Sequence, residues 1–264
     1  MARIQCDFFS NSLMMNTSVT VILPTIDREE QSVLTSRFQE GKKFQTLLLL
    51  HGMFGDHTDW SRSTQIETYA EENTLAVVMP SAENSFYTDM KIGGKYWTYV
   101  SEELPRACRA MFPLSDKRED NFVAGLSMGG YGAFKLALRK PENFAAAASL
   151  SGVMDISGLV NDPDVSKELI AAIYGGVDQL KTEENDLYLL AKINALKKSA
   201  APMLYQACGT EDSLYQDNIA FRDYLESLGL VHAYEEGPGV HDYYFWNAYI
   251  KKAIEWMPLK RTAV

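Results

Sequence analysis

The segment Asn121-Phe-Val-Ala-Gly-Leu-Ser-Met-Gly-Gly-Tyr-Gly-Ala-Phe-Lys-Leu-Ala-Leu138 constrains this chain most. An apolar run reaches Ser127, glycines flank it, and the spacing then turns helical. Residues 121–126 read as a strand and 128–139 as a helix, with Ser127 at the turn between them. Gly125-Leu-Ser127-Met-Gly129 is a G-x-S-x-G pentapeptide, whose small flanking residues let a tight bend fit between strand and helix. Such a bend lifts the hydroxyl clear of the sheet. It also leaves the next amide, that of Met128, at a helix N-terminus, where developing negative charge is stabilised. Taken alone, glycines and a serine are equally the makings of an ordinary turn. A phosphate loop is excluded because no Gly-Lys-Ser/Thr follows. A dinucleotide loop fails because Lys135 stands where Gly130-Tyr-Gly132 needs its third glycine.

Short apolar runs alternate with amphipathic stretches along the 264 residues. Strands are expected at 3–10, 17–23, 45–50, 74–80, 121–126, 144–152, 202–209 and 230–237. Helical spacing falls at 61–73, 98–112, 128–139, 215–228 and 242–256. The pattern predicts an α/β fold: one domain over 1–264, with a mainly parallel eight-stranded sheet covered by helices on both faces. Residues 155–199, after the sixth strand, are longer than a crossover needs and include a helix-like stretch near 183–197. They read as an insertion and candidate lid, or as an elaborated crossover. Ligands of open α/β sheets sit beyond the carboxyl ends of the strands. The residues to inspect are therefore His51-Gly52-Met53, Ser127, Asp155, Asp212 and His241.

A formal net charge of -10 argues against nucleic acid, which demands clustered Lys and Arg. Three widely separated cysteines without a CxxC suggest neither a disulfide framework nor a zinc site. They read as free thiols of a reducing compartment. The N-terminal segment lacks the features of a signal peptide, and no apolar run is long enough to span a bilayer. The expectation is a cytoplasmic protein without a membrane partner. The four histidines are not spaced as a ligand set and no HExxH occurs, so neither metal nor organic cofactor is expected.

An unassisted serine is a poor nucleophile and needs a nearby base. His241 follows the last strand in Gly237-Pro-Gly-Val-His241 and is the expected base. His232 falls inside a strand, His51 shapes a glycine turn, and His57 is expected at the surface or a pocket rim. Asp212, after the 202–209 strand, completes a Ser…Asp…His chain order, with Glu211 and Asp155 as rival carboxylates. A second oxyanion donor is expected from the loop after 45–50: the amide of Met53, with Phe54 as the alternative. Phe54 and Trp97 are possible pocket residues; Tyr96 and Trp97 read equally as core packing.

In "LLLLHGMFGDHTDW", "GGKYWTYVSEELP", "VAGLSMGGYGAFKLAL", "CGTEDSLYQDN" and "GVHDYYFW", the chain resembles the α/β-hydrolase fold, and more narrowly the esterase D and tributyrin esterase family. The resemblance runs in order from about 45 to 257. It implies a serine carboxylesterase of short acyl esters, with Ser127 as nucleophile, Asp212 as acid and His241 as base. It also implies a small-molecule ester as partner, and a homo-oligomer. Relatives in the resemblance include S-formylglutathione hydrolases, acetyl-xylan and feruloyl esterases, and mycolyl transferases. "HGMFGD" departs from the threonine-cysteine type loop of the formylglutathione enzymes. Acyl transfer, or a non-catalytic binding protein on the same fold, are the remaining alternatives.

Overall fold

The computed structural model describes residues 1–25, 41–197 and 201–260. The last residues of the expected insertion, 198–199, lie outside the described residues, as do 26–40 and 261–264 of the expected single domain. The chain opens with β1 (Ala2–Ser10) and β2 (Met15–Leu23), then β3 (Gln45–Leu50), α1 (Asp59–Ser63), α2 (Ile66–Glu72) and β4 (Leu75–Pro80). A helical stretch follows, α3 (Tyr96–Thr98) running through a π turn at Tyr99–Glu103 into α4 (Leu104–Met111). Next come β5 (Asn121–Leu126), α5 (Met128–Arg139), β6 (Ala146–Leu150), α6 (Lys167–Tyr174) and α7 (Leu187–Lys197). β7 (Met203–Gly209), α8 (Tyr215–Ser227), β8 (His232–Gly237) and α9 (Tyr243–Trp256) complete it.

The strands form one eight-stranded sheet in the order β1-β2-β4-β3-β5-β6-β7-β8. β2 pairs antiparallel with both β1 and β4, while β4-β3-β5-β6-β7-β8 are parallel throughout. This order and direction are those of an α/β-hydrolase sheet.

The parallel strands from β3 to β7 are buried on both faces, which is why β3 reads as the unbroken run Gln-Thr-Leu-Leu-Leu-Leu, while β8 at the edge is half-buried. Leu48 and Leu50 point into one core with Val123, Val78 and the residues of α5. Leu47 and Leu49 point into the other, against Trp60, Ile66, Tyr69 and the inner face of α9. Side chains alternate across a strand, so one run feeds both layers. α5 is buried from Met128 to Leu138, and this central position fixes the start of the helix, where Ser127 sits.

Two element expectations need correction. The single helix expected at 61–73 is two, because Thr64 is extended (φ -139, ψ 175) and breaks it. The break lets Trp60 turn inward, where its indole Nε1 donates to the Leu50 carbonyl (3.0 Å). α6 was not expected at all, although Ser166 caps its start by accepting from the Leu169 amide (3.1 Å) and Gly175 ends it in the left-handed region (φ 92). No helix among the described residues is long and apolar enough to cross a membrane.

Candidate active site

Ser127 leaves β5 with φ 53 and ψ -121, a conformation that an L-residue adopts only when its surroundings impose it. Its amide donates to Leu150 O (2.9 Å) and its carbonyl accepts from the Tyr131 amide (3.1 Å), so strand and helix both hold the turn. A Cβ on Gly129 would lie 2.5 Å from Leu50 O and 2.6 Å from His51 O. A Cβ on Gly125 would meet the Gly129 backbone. Both glycines are therefore required for close approach.

His241 sits between β8 and α9. Asp242 caps α9, its side chain accepting from the amides of Tyr244 (3.0 Å) and Phe245 (3.1 Å). The loops after β7 and β8 are tied reciprocally. Thr210 N donates to Gly237 O (2.9 Å), Glu211 N to Gly239 O (3.1 Å), and Gly239 N to the Glu211 carboxylate (2.6 Å). That lacing brings His241 Nδ1 to 2.9 Å from Asp212 Oδ2. Burial alone would raise the Asp212 carboxyl, but the His241 hydrogen bond and charge, with the Leu214 amide (2.8 Å), outweigh it and hold it below its ordinary value. An ionised Asp212 can only accept, so Nδ1 carries the proton and Nε2 is left as an acceptor.

The rival carboxylates have other partners. Glu211 is occupied by Gly239. Asp155 accepts from Ser157 N (2.9 Å) and Oγ (2.6 Å) and pairs with Lys181 (3.0 Å).

Among the described residues, no acceptor is bonded to the amides of Met53 or Met128. The Phe54 amide is committed to Asn84 Oδ1 (2.7 Å), which removes it as the alternative donor. The loop that carries Met53 is shaped by His51, which is buried. Its Nε2 accepts from the Ala82 amide (2.9 Å), so Nδ1 is the protonated nitrogen and donates to Gly52 O (2.6 Å). Burial lowers the His51 pKa and keeps the ring neutral. His57 is not at the surface as expected: it is buried under β2, with Nδ1 2.7 Å from Thr20 Oγ1. His232 lies in β8 as expected, its pKa pushed down to about 4 by burial.

A cavity of about 680 Å³ brings together Ser127, His241, Met53 and Phe54. No hydrogen bond joins the Ser127 hydroxyl to His241. Trp97 does not line this cavity, which corrects its assignment as a pocket residue. It is buried, and the Arg139 guanidinium covers its face 3.8 Å from the ring centroid. Tyr96 is likewise core packing. The segment between β6 and α6 contributes Leu159, Asp162, Pro163 and Asp164 to the wall.

Sequence reasoning missed Asp59, Arg62, Tyr243 and Trp246, which also line the cavity. Trp246 stands edge-on to His241 (4.9 Å, 90°), Tyr243 edge-on to Trp246 (4.9 Å) and Trp60 edge-on to Tyr243 (6.4 Å). This aromatic file braces the imidazole from behind. The only hint in the sequence was the aromatic density of "HDYYFW".

A separate cavity of about 440 Å³ opens at the other end of β3 and β5, where Cys108 is the only thiol. Burial pushes that thiol up to about 12, so it supplies no thiolate at neutral pH. Among the described residues, no group of three or more His, Cys, Asp or Glu is placed to hold a metal ion.

A family model described as "Putative esterase" matches residues 10–257. The chain belongs to this esterase family. An acetyl esterase of Caldicellulosiruptor saccharolyticus is 34% identical over 97% of this chain and 98% of its own length. The substrate-bound structure of fluorophosphonate-binding serine hydrolase F from Staphylococcus aureus superposes with a TM-score of 0.87 at 41% identity, covering 97% of this chain and 98% of that one. An S-formylglutathione hydrolase of the same organism gives 0.85, also at 41% identity, with the same coverage. This esterase is thus a serine hydrolase of carboxylic esters.

Proposed function

We propose that this esterase hydrolyses short-chain acyl esters with Ser127 as nucleophile, His241 as general base and Asp212 as the carboxylate that orients it. The observation that carries the reading is the 2.9 Å contact between His241 Nδ1 and Asp212 Oδ2, at a cavity shared with Ser127. Ser127 Oγ attacks the ester carbonyl carbon while its proton passes to His241 Nε2. The carbonyl oxygen takes up the negative charge and accepts from the Met53 and Met128 amides, an interaction worth roughly 3–4 kcal/mol per donor. Collapse breaks the bond to the alcohol oxygen, which leaves with the proton from His241. Water, deprotonated by the same nitrogen, then releases the acid and restores the serine.

Met53, Phe54, Phe86, Val153, Leu159 and Trp246 give the cavity an apolar lining suited to a small acyl group. The acetyl esterase relative supports a short acyl chain. A thioester substrate is the second reading, supported by the S-formylglutathione hydrolase neighbour. Three unpaired thiols, Cys6, Cys108 and Cys208, support a cytoplasmic setting. Within the expected insertion, the segment 155–164 is proposed as the lid side of the cavity, on the strength of Leu159, Asp162, Pro163 and Asp164 in its wall. Ser127→Ala is expected to abolish hydrolysis of p-nitrophenyl acetate while circular dichroism stays native. Full activity in that variant would overturn the assignment.

A further inference from the structure

The charged groups that line the Ser127 cavity, His241 aside, are Asp59, Arg62, Asp162 and Asp164. They are unevenly matched. Arg62 is spoken for: its guanidinium lies 2.8 Å from Asp59 Oδ1, and Tyr243 donates to Asp59 Oδ2 (3.2 Å). Asp162 Oδ1 accepts only from the Asp164 amide (2.9 Å). Among the described residues, neither Asp162 nor Asp164 faces a cation at ion-pair distance. Both are carried by the insertion, Asp162 half-buried and Asp164 exposed, so they stand at the mouth, not beside the serine. Two negative charges are left uncompensated there, on a chain whose net charge is already -10.

We propose that this mouth selects esters by charge. It admits neutral or cationic leaving groups and rejects anionic ones, with Asp162 and Asp164 as the specificity-determining residues. The proposal rests on the esterase reading of Ser127. An acyl group small enough to lie against Met53 leaves the rest of the ester to project toward the mouth. Charges set in a cleft with apolar walls focus their field, and they act over a Debye length of about 8 Å at physiological salt. A quaternary ammonium also finds the rings of Tyr243 and Trp246 in the same wall. An S-acyl glutathione carries two carboxylates against one ammonium and meets like charge. The mouth therefore favours an alcohol over glutathione as the leaving group.

The test uses acetate esters of three alcohols: choline, its uncharged isostere 3,3-dimethylbutanol, and the anionic 2-hydroxyethanesulfonate. At low ionic strength, kcat/KM is expected to be about tenfold higher for the cationic ester than for the anionic one, with the neutral ester between. High salt, about 0.5 M, should bring the two charged esters within about twofold. The double variant Asp162→Asn/Asp164→Asn, which keeps the Oδ1 acceptor of the turn, should bring the cation-to-anion ratio near one at every salt concentration. Equal turnover of all three esters by the wild type at low salt overturns the charge selection alone. So does a cation-to-anion ratio that ignores salt, or a kcat/KM for S-acetylglutathione that does not rise as salt is added. Failure to cleave any of the three acetates overturns the esterase reading and the proposal with it. A folded double variant that keeps the wild-type ratio and its salt dependence overturns Asp162 and Asp164 as the source, because the net charge of -10 alone would then suffice. If the double variant does not fold, Asp164→Asn at the exposed position makes the same comparison, with about half the effect expected and an unchanged ratio overturning the assignment.

Discussion

Ser127 is held in a backbone conformation that costs on the order of 1–3 kcal/mol, and two glycines make room for it. The room is not spare. Gly129→Ala drives a methyl to 2.5 Å from Leu50 O and 2.6 Å from His51 O, both backbone atoms that no side-chain rotation can move aside. Overpacking of this kind costs about 1–3 kcal/mol. The melting temperature is expected to fall by about 2–4 °C per kcal/mol in a chain of this size. Relief of the clash pushes the His51–Met53 loop away from the serine, so kcat for p-nitrophenyl acetate should fall further than stability alone explains. Native activity and melting in Gly129→Ala would show that the close approach is not needed. Asp212 acts on a different quantity, the tautomer of His241. Asp212→Asn can donate to Nδ1 and so place the proton on Nε2, the nitrogen that accepts in the proposed mechanism. We expect kcat to drop by up to about 10⁴-fold with KM little changed. A loss confined to KM would mean that Asp212 shapes the pocket instead.

The helix from α3 to α4 is regular except for the π turn at Tyr99–Glu103, and that turn has a local purpose. It presents Glu103 to the bend between β1 and β2, where its carboxylate accepts from Ser10 Oγ (2.6 Å), Asn11 N (2.7 Å) and Ser12 N (3.0 Å). Burial would raise the Glu103 pKa, but the serine hydroxyls and these two amides overrule it and bring it down to about 2. Because the folded value lies below the unfolded one, the carboxylate stabilises the hairpin fully above about pH 4.3. That contribution is lost as pH falls toward 2. Glu103 is only half-buried, which discounts the effect to about 1 kcal/mol. Glu103→Gln should therefore lower stability to urea at pH 7, and the gap to wild type should narrow below about pH 4.3 and close only near pH 2. A gap independent of pH would mean that the bonds do not depend on charge. No reading of hydrophobic period reveals this turn, because a π turn shifts the stripe by one residue without removing it. α6 is the opposite case: its serine cap and terminal glycine are plain in "SKELIAAIYGG", but polar punctuation around it masked a helix of eight residues.

At the scale of the molecule, the eight strands and the mainly parallel sheet were legible: the buried central strands leave unbroken apolar runs, β8 leaves an alternating one, and each ends at a loop that can be inspected. Ser127, Asp212 and His241 stood out because each follows such a strand. Arg62, Tyr243 and Asp162 did not, since charged and aromatic residues on helices and loops look alike whether they face solvent or a cavity. Nor could spacing separate Trp97 from a pocket wall, because Arg139, which covers it, is remote in sequence. The insertion shows the same limit. Its length suggested a lid, yet its parts are anchored very differently. α6 buries Ile170, Ile173 and Tyr174 in the main core and receives the amides of Lys91 and Ile92. α7 is fastened to α5 through Asn194 Nδ2 to Leu138 O (2.7 Å), and Asn185 O just before it accepts from Tyr131 (2.9 Å). Residues 157–164 hold only a 3-10 turn and an exposed bend, with Leu159 as their buried anchor. Local opening follows such differences in buried contact. Amide hydrogen exchange is therefore expected to be fastest in the insertion at 157–164 and slow in α6 and α7. Labelling Ser127 with a fluorophosphonate should slow exchange at 157–164 and leave α7 unchanged, since only the former lines the cavity. Uniform protection across 155–197, or a response in α7 alone, would remove this segment as the moving part.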